Sequence, residues 1–541
     1  MFKILDFFRN PQISTRCSLP QKLFRNANQT CALARSTRSC GSFVFLINYL
    51  DVFFCQFKLP TISIYGLISA CLLMVQFSML FMLTKYFFVP NLVTLIEFAP
   101  MTMFGITFLI FGPSIFVSYY NSAWMICDPQ RGSLSPLQFA KMVGDIIRYF
   151  VIGLMVLSMQ GYRAEGVTLW SCMTFILTGM GYLYIVTKKS YQMKLMDADL
   201  NLIKFRVTVF LYTFSLVLLV IVVVSHATFQ RSLLKGTAKP ENYLDMDSGD
   251  EILGKYQKQK VFTRRQLWLK TVNGYENMKD SHVVYRVLMV PIFFVVSNFS
   301  PVISKDRFLI GWNKYINCLC LVVLPFICLP HGFKAVSWLI MLLVCWALSI
   351  LAFISTHSLR RPDNVWIFAL LGLIISSVAM NLLSREIENV TWQYISIQFD
   401  VKPDVTALMY FGLGEMFSEA IVVRCLQQRK MWDATFGVVM SIVTYAIFLA
   451  FPLLFYQGCF NSSSSIITTA STETGIHFIF LIVSTSLLHI SMSGYEFRIS
   501  LFFYLLVLTV IYVTLQWMIH YDWMLSLATL HKATLINKGF I

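Results

Sequence analysis

The chain has 541 residues, of which 57% are hydrophobic and only 13% charged, with a mean hydropathy of +0.67. Soluble domains carry nearer a quarter charged residues, so this composition excludes an ordinary soluble enzyme or binding module. The net charge of +16 does not point to nucleic acid, because no basic stripe interleaves with aromatics on a polar domain, and excess Lys and Arg in a membrane protein sits in loops. An all-α polytopic membrane protein is expected, with the lipid bilayer as its partner and no nucleic acid.

Residues 1–59 contain no span. Up to Cys40 the sequence is rich in Arg and Ser, and Asp6 is its only acid. Such a stretch fits a mitochondrial transit peptide or a basic extramembrane tail. Cys31, Cys40 and Cys55 flank polar sequence ahead of the first span, where a disulfide forms if that side is oxidising. Most of the other cysteines lie inside apolar runs and read as small buried hydrophobes.

Residues 60–226 form a first membrane half. Runs near 62–86, 102–121, 140–160, 167–187 and 205–226 are each long enough to cross a hydrocarbon core of about 30 Å. Residues 227–284 are polar, of mixed charge and poor in apolar runs, and read as a partly disordered loop. Residues 285–541 form a second half. It opens on the Pro-bearing "YRVLMVPIFFVVSNFSPVI", expected at the interface. Spans follow near 313–331, 334–355, 365–384, 403–424, 434–456, 474–491 and 500–519. The total is 12 or 13. Lys188, Lys189 and Lys194 precede the basic central loop by one span, so charge alone does not orient the chain.

No Walker loop, HExxH helix, nucleophile elbow or dinucleotide fingerprint is present. Neither a catalytic residue nor a cofactor is expected. What stands out is "ALMYFGLGEMFSEAIVVRC", an apolar run carrying Glu415 and Glu419. One carboxylate at the bilayer centre costs roughly 2.5–3.5 kcal/mol. At i and i+4 the two share a helix face, and their oxygens suit a hard cation as metal ligands. Ion pairing with Arg424, Arg429 or Lys430 at the membrane edge is the alternative. Gly412 and Gly414 weaken the helix just ahead of the acids. Gly112 and Pro113 interrupt "GITFLIFGPSIFVS" in the first half. Paired interruptions of this kind in two halves point to a transporter's midplane site.

Several stretches resemble the cation/calcium exchanger superfamily, specifically its mitochondrial sodium/calcium (sodium/lithium/calcium) branch. "FLINYLDVFFC" resembles a Cys-bearing segment before the first span. "KYFFVPNL" resembles Lys-Phe-Phe-x-Pro-Asn-Leu. "GITFLIFG" resembles the opening of the first α-repeat. "YRVLMVPIFFVV" resembles the segment after the regulatory loop. "WIFALLGLIISSVAMNLLSREIENV" resembles the helix before the second repeat, which carries an Asn and a Glu where Asn381 and Glu386 stand.

The resemblance implies two inverted five-helix repeats plus extra helices. It implies an antiporter exchanging Ca²⁺ for Na⁺, Li⁺ or H⁺, with homo-oligomers left open. It implies Glu415 and Glu419 as cation ligands, with Thr107, Ser114, Ser118 and Ser418 as neutral oxygens. The repeats are degenerate. The first lacks the family's Asn-Gly-Ala and has Ser114 for Asp; the second lacks Asn-Ser and has Glu for both Asp residues. A regulatory or altered-selectivity paralogue is therefore the competing expectation. The mitochondrial inner membrane is the expected location, with the plasma membrane or endomembranes as alternatives.

Overall fold

The computed structural model describes residues 31, 47–49, 51–57, 62–98, 101–111, 135–193, 278, 281–304, 311–328, 335–356, 362, 364–398, 401–450, 469–521 and 523. Among these residues there is no strand, only an isolated bridge between Arg163 and Glu496. Five helical stretches are long and apolar enough to cross a membrane, and shorter apolar helices accompany them. The protein is an all-α polytopic membrane protein. The expected span at 205–226, most of the 227–284 loop, most of the 1–59 segment and the Gly112–Ser118 stretch lie outside the described residues.

A π-helical turn at Asp51–Gln56 is tied by the Cys31–Cys55 disulfide, so of the three candidate cysteines it is Cys31 and Cys55 that pair. Helix α1 (Ile62–Leu83) runs through a π-helical turn, Thr84–Phe88, into α2 (Val89–Phe98). The span expected to stop near residue 86 thus continues for another three turns. Two local causes account for this. Lys85 lies 5.3 Å from the ring centroids of both Phe81 and Tyr86. Pro90 lacks an N–H and crowds the carbonyl four residues back, and the widened π turn absorbs that crowding.

The remaining helices are α3 (Ser135–Ser158), α4 (Gly166–Met193), α5 (Val283–Ser297), α6 (Lys314–Cys328), α7 (Ala335–Ser355) and α8 (Val365–Gln398). After them come α9 (Pro403–Tyr410), α10 (Leu413–Gln428), α11 (Trp432–Tyr445), α12 (Ala470–Met492) and α13 (Ile499–His520). Helix α7 leaves Leu339, Leu343, Ile350, Leu351 and Ile354 exposed, the pattern of a helix facing lipid tails. Helix α3 does the opposite. It packs against α9, α10, α11, α12 and α13, and Phe139, Met142, Val143, Ile146 and Leu154 are fully buried. A helix so placed sets the positions of its neighbours, and its few polar residues must find partners inside the protein.

Residues 301–304 form no helix yet are buried. Buried backbone without partners would be costly, and α2 supplies them. Asn91 donates to the Pro301 carbonyl at 2.9 Å and accepts from the Ile303 N–H at 2.9 Å. The Thr94 hydroxyl donates to the Ile303 carbonyl at 2.8 Å. Gly372 on α8 lets this segment approach, since a Cβ there would collide with the Pro301 carbonyl and the Asn91 amide.

Candidate functional site

The run that reads as one span over 403–424 is two helices. Helix α9 ends at Tyr410. Phe411 is extended, with ψ 148°, and Gly412 is left-handed, with φ +76°, before α10 begins at Leu413. Only glycine takes that conformation without strain, and a Cβ at Gly412 would also collide with the Asp145 carboxylate. Gly414 lies inside the first turn of α10 rather than in the break. Its role is close packing, since a Cβ there would lie 3.0 Å from the Ser384 backbone.

A helix break exposes carbonyls at one end and N–H groups at the other. Here charged side chains take both. Arg148 of α3 donates to the Leu408 carbonyl at 2.5 Å and to the Phe411 carbonyl, so a cation sits at the C-terminal end of α9. The Gly412 N–H donates to Glu388 Oε1 at 3.2 Å, and Glu415 lies in the first turn of α10. Both placements match the helix dipole, which favours cations at C-termini and anions at N-termini.

The network continues inward. Lys141 Nζ lies 2.6 Å from Glu388 Oε1 and 3.4 Å from Glu415 Oε1, and Lys141 is 2% exposed. Tyr149 donates to Glu415 Oε2 at 3.2 Å. Arg148 also pairs with the fully buried Asp145 at 2.5 Å. Arg385 of α8 interacts electrostatically with Glu388 and Glu415. Glu419 interacts with Glu415 and Asp145, and its Oε2 is buried with no hydrogen-bond partner. Lys141, Asp145, Arg148 and Tyr149 fall at i, i+4, i+7 and i+8, which places them along one face of α3.

The site residues expected from sequence divide. Glu415 and Glu419 do come together, but Glu415 meets Lys141 and Tyr149. Arg424 is exposed, and no ion pair from Glu415 to Arg424, Arg429 or Lys430 is present among the described residues. Ser418 is buried beside the acids and donates to the Glu415 carbonyl at 2.7 Å. Thr107 belongs elsewhere. Its hydroxyl donates to the Met103 and Phe104 carbonyls of its own helix, and it packs where a Cβ on Gly437 would collide. That hydroxyl hydrogen is satisfied within its own helix.

Glu386 lies apart from the Lys141 network. It accepts from Asn389 at 3.4 Å and interacts with Tyr49 of the N-terminal segment. Glu388, two residues on, faces Lys141 instead, because two helical steps turn a side chain by about 200°. Asn381 is half-buried one turn before Arg385 on α8. Gly112, Pro113, Ser114 and Ser118 lie outside the described residues. Sequence inspection passed over Lys141, Asp145, Arg148, Arg385 and Glu388. The signal that could have found the first three is their i, i+4, i+7 spacing inside the apolar run "FAKMVGDIIRYF".

Among the described residues, no group of three or more His, Cys, Asp or Glu is arranged to hold a metal ion. An apolar cavity of about 320 Å³ lies beside the break, lined by residues that include Phe77, Tyr410, Leu413 and Trp517 but none of the charged network.

Comparison with known proteins gives one consistent answer. The chain is 23% identical to the mitochondrial sodium/calcium exchanger protein of Mus musculus, over 92% of its own length and 89% of the relative's. The protein of the same name from Homo sapiens is 22% identical, over 76% of this chain and 74% of the relative. The chain is similar along most of its length to mitochondrial sodium/calcium exchangers. That bears out the resemblance carried by "KYFFVPNL" and "GITFLIFG". The Gallus gallus protein of that name matches more narrowly, at 26% identity over 28% of each chain. No protein-family model matches, and no solved structure matches.

Proposed function

We propose that this protein is a secondary active cation antiporter working by alternating access, a transporter rather than an enzyme. The carrying observation is the α9–α10 break, with Glu415 and Glu419 on the first turns of α10 in a buried polar network. Broken helices supply ion sites in transporters because freed backbone groups and helix ends converge there. The names of the relatives make Ca²⁺ and Na⁺ the candidate pair, with a role in calcium homeostasis. They also favour a mitochondrial location, which we take to be the inner membrane. Two inverted repeats and 12 or 13 spans complete the proposal, and a self-associated form is compatible with it.

The second reading, a paralogue of altered selectivity or without transport, is favoured by one observation: Lys141 and Arg148 already contact the oxygens around the break. Reconstituted vesicles separate the two. Glu415→Gln should abolish cation-dependent flux while the protein still folds, because Lys141 keeps its closer partner, Glu388. Wild-type flux in that variant would remove Glu415 from the site. Loss of folded protein would mark Glu415 as a structural partner of Lys141.

A further inference from the structure

Glu415 meets Lys141 and Tyr149, so Arg424, Arg429 and Lys430 are not its partners, and the C-terminal end of α10 is strongly basic. All three side chains are exposed. A fourth cation joins them from a distant part of the chain. Helix α10 packs against α1 and the π-helical turn that follows it. Lys85 of that turn is exposed, and it acts with Arg424 and Arg429 on the thiol of Cys425. Among the described residues no carboxylate pairs with Lys85, Arg424 or Lys430. Like charges gathered from two elements repel, and an anion placed among them relieves that repulsion.

The patch lies at headgroup level. The 22 residues of α1 span about 33 Å at 1.5 Å per residue. That is close to the thickness of a hydrocarbon core, so Lys85, just beyond α1, falls at its edge. The rings of Phe81 and Tyr86 hold the ammonium there. Next to it, Tyr285 of α5 packs edge-on against Phe81 at 6.1 Å. Val284, Val287 and Leu288 of the same helix are exposed. Charge and lipid-facing apolar surface therefore stand side by side.

We propose that Lys85, Arg424 and Arg429, with Lys430 beside them, bind the phosphate headgroup of an anionic phospholipid whose acyl chains lie against the exposed residues of α5. Guanidinium groups match phosphate oxygens two at a time, and the lysines add point charges. A soluble phosphate would offer the charge without the chains, so the bilayer is the source. The headgroup joins two elements, the π turn after α1 and the helix that carries Glu415 and Glu419. Arg424 lies about one and a half turns beyond Glu419, so the bound lipid holds the acid-bearing helix against α1. The site stands apart from the antiporter reading, and its test involves no flux.

The full-length protein, purified in detergent and stripped of lipid, is titrated with phosphatidylglycerol, phosphatidylcholine or inorganic phosphate at equal ionic strength. Melting temperature and native mass spectrometry of retained lipid are the readouts. Phosphatidylglycerol should stabilise the wild type at lower concentration than phosphatidylcholine, and inorganic phosphate should not stabilise it. Each basic residue near a membrane surface is worth about fivefold in affinity for anionic lipid. Lys85→Gln and Arg424→Gln should therefore each weaken phosphatidylglycerol binding about fivefold and leave phosphatidylcholine binding unchanged. Lys85→Arg keeps the charge and should keep the binding, which separates charge from the packing of the side chain on Phe81 and Tyr86. Arg498→Gln removes an exposed cation of a different loop and should change nothing. Phosphatidylglycerol binding that survives both Lys85→Gln and Arg424→Gln would overturn the proposal, as would an equal loss in Arg498→Gln. Stabilisation by inorganic phosphate equal to that by phosphatidylglycerol would overturn the lipid assignment in favour of a soluble anion.

Discussion

Two buried polar regions sit within one membrane protein and are built on different terms. At the 301–304 segment, Asn91 and Thr94 meet backbone groups one for one with neutral hydrogen bonds. At the α9–α10 break, carboxylates and cations from three helices meet in a charged network. The first is a clamp: neutral partners satisfy each other and nothing mobile is needed. The second holds Glu419, whose buried Oε2 has no hydrogen-bond partner among the described residues, and a buried carboxylate persists in low dielectric only where an ion or a proton can answer it. Burial of polar groups alone therefore does not mark a candidate site; an unbonded buried carboxylate does.

Substitutions can break or sharpen this contrast. The largest effect is expected from Gly412→Ala, which forces a Cβ into the Asp145 carboxylate at a left-handed backbone position. Strain plus disruption of a buried ion pair should cost at least about 3 kcal/mol, seen as a collapse of folded yield and melting temperature. A stable Gly412→Ala protein would mean that the break is not held as described.

Next is Glu388→Gln, which strips Lys141 of its nearest partner. Uncompensated buried charge should cost about 3 kcal/mol, and adding Lys141→Gln should recover most of it. A double-mutant cycle by thermal denaturation measures the coupling, and additive costs would show that the two side chains do not pair. Asn91→Ala is expected to be milder. It leaves the Pro301 carbonyl and the Ile303 N–H unanswered, for about 1–3 kcal/mol, and it should leave cation-dependent flux unchanged. A changed flux in Asn91→Ala would erase the distinction between clamp and site.

The smallest effect belongs to the loop between α3 and α4, outside the membrane spans. Tyr162 donates to Asp433 at 2.8 Å, and Tyr162→Phe should cost about 1 kcal/mol. Burial, and then the neighbouring Asp433 charge, pushes the Tyr162 hydroxyl above the ordinary phenol range. Its contribution is therefore fully present below about pH 10, the unfolded value, and is lost as the pH rises above it. The melting-temperature gap between wild type and Tyr162→Phe should stay constant from neutral pH upward and narrow only in strong alkali.

Much of the fold was legible in the chain because lipid solvation is a local property. An apolar run of the right length needs no partner to be read as a helix that can cross, and α3, α4, α12 and α13 lie close to where their runs suggested, whereas α8 begins where expected but runs on past residue 384 to Gln398. Boundaries slipped where a local feature was answered by a neighbour. The run expected to stop near residue 86 continues into α2, with Lys85 held against the rings of Phe81 and Tyr86. The site was half legible. Glu415, Glu419 and Gly412 stood out because two acids and a run of glycines are conspicuous in an apolar stretch. Glu388 was not legible, because its pairing with Lys141 depends on which face of α8 meets α3.

By itself, then, the sequence determined that this is a helical membrane protein, that a helix weakens near Gly412, and that two acids follow it. Those properties depend on composition and on spacings of a few residues. Only the tertiary structure decided which charges answer which. Lys141 and Glu415 are 274 positions apart in sequence and 3.4 Å apart in space. A Coulomb interaction depends on distance and on the surrounding dielectric, and both are set when α3, α8 and α10 pack together.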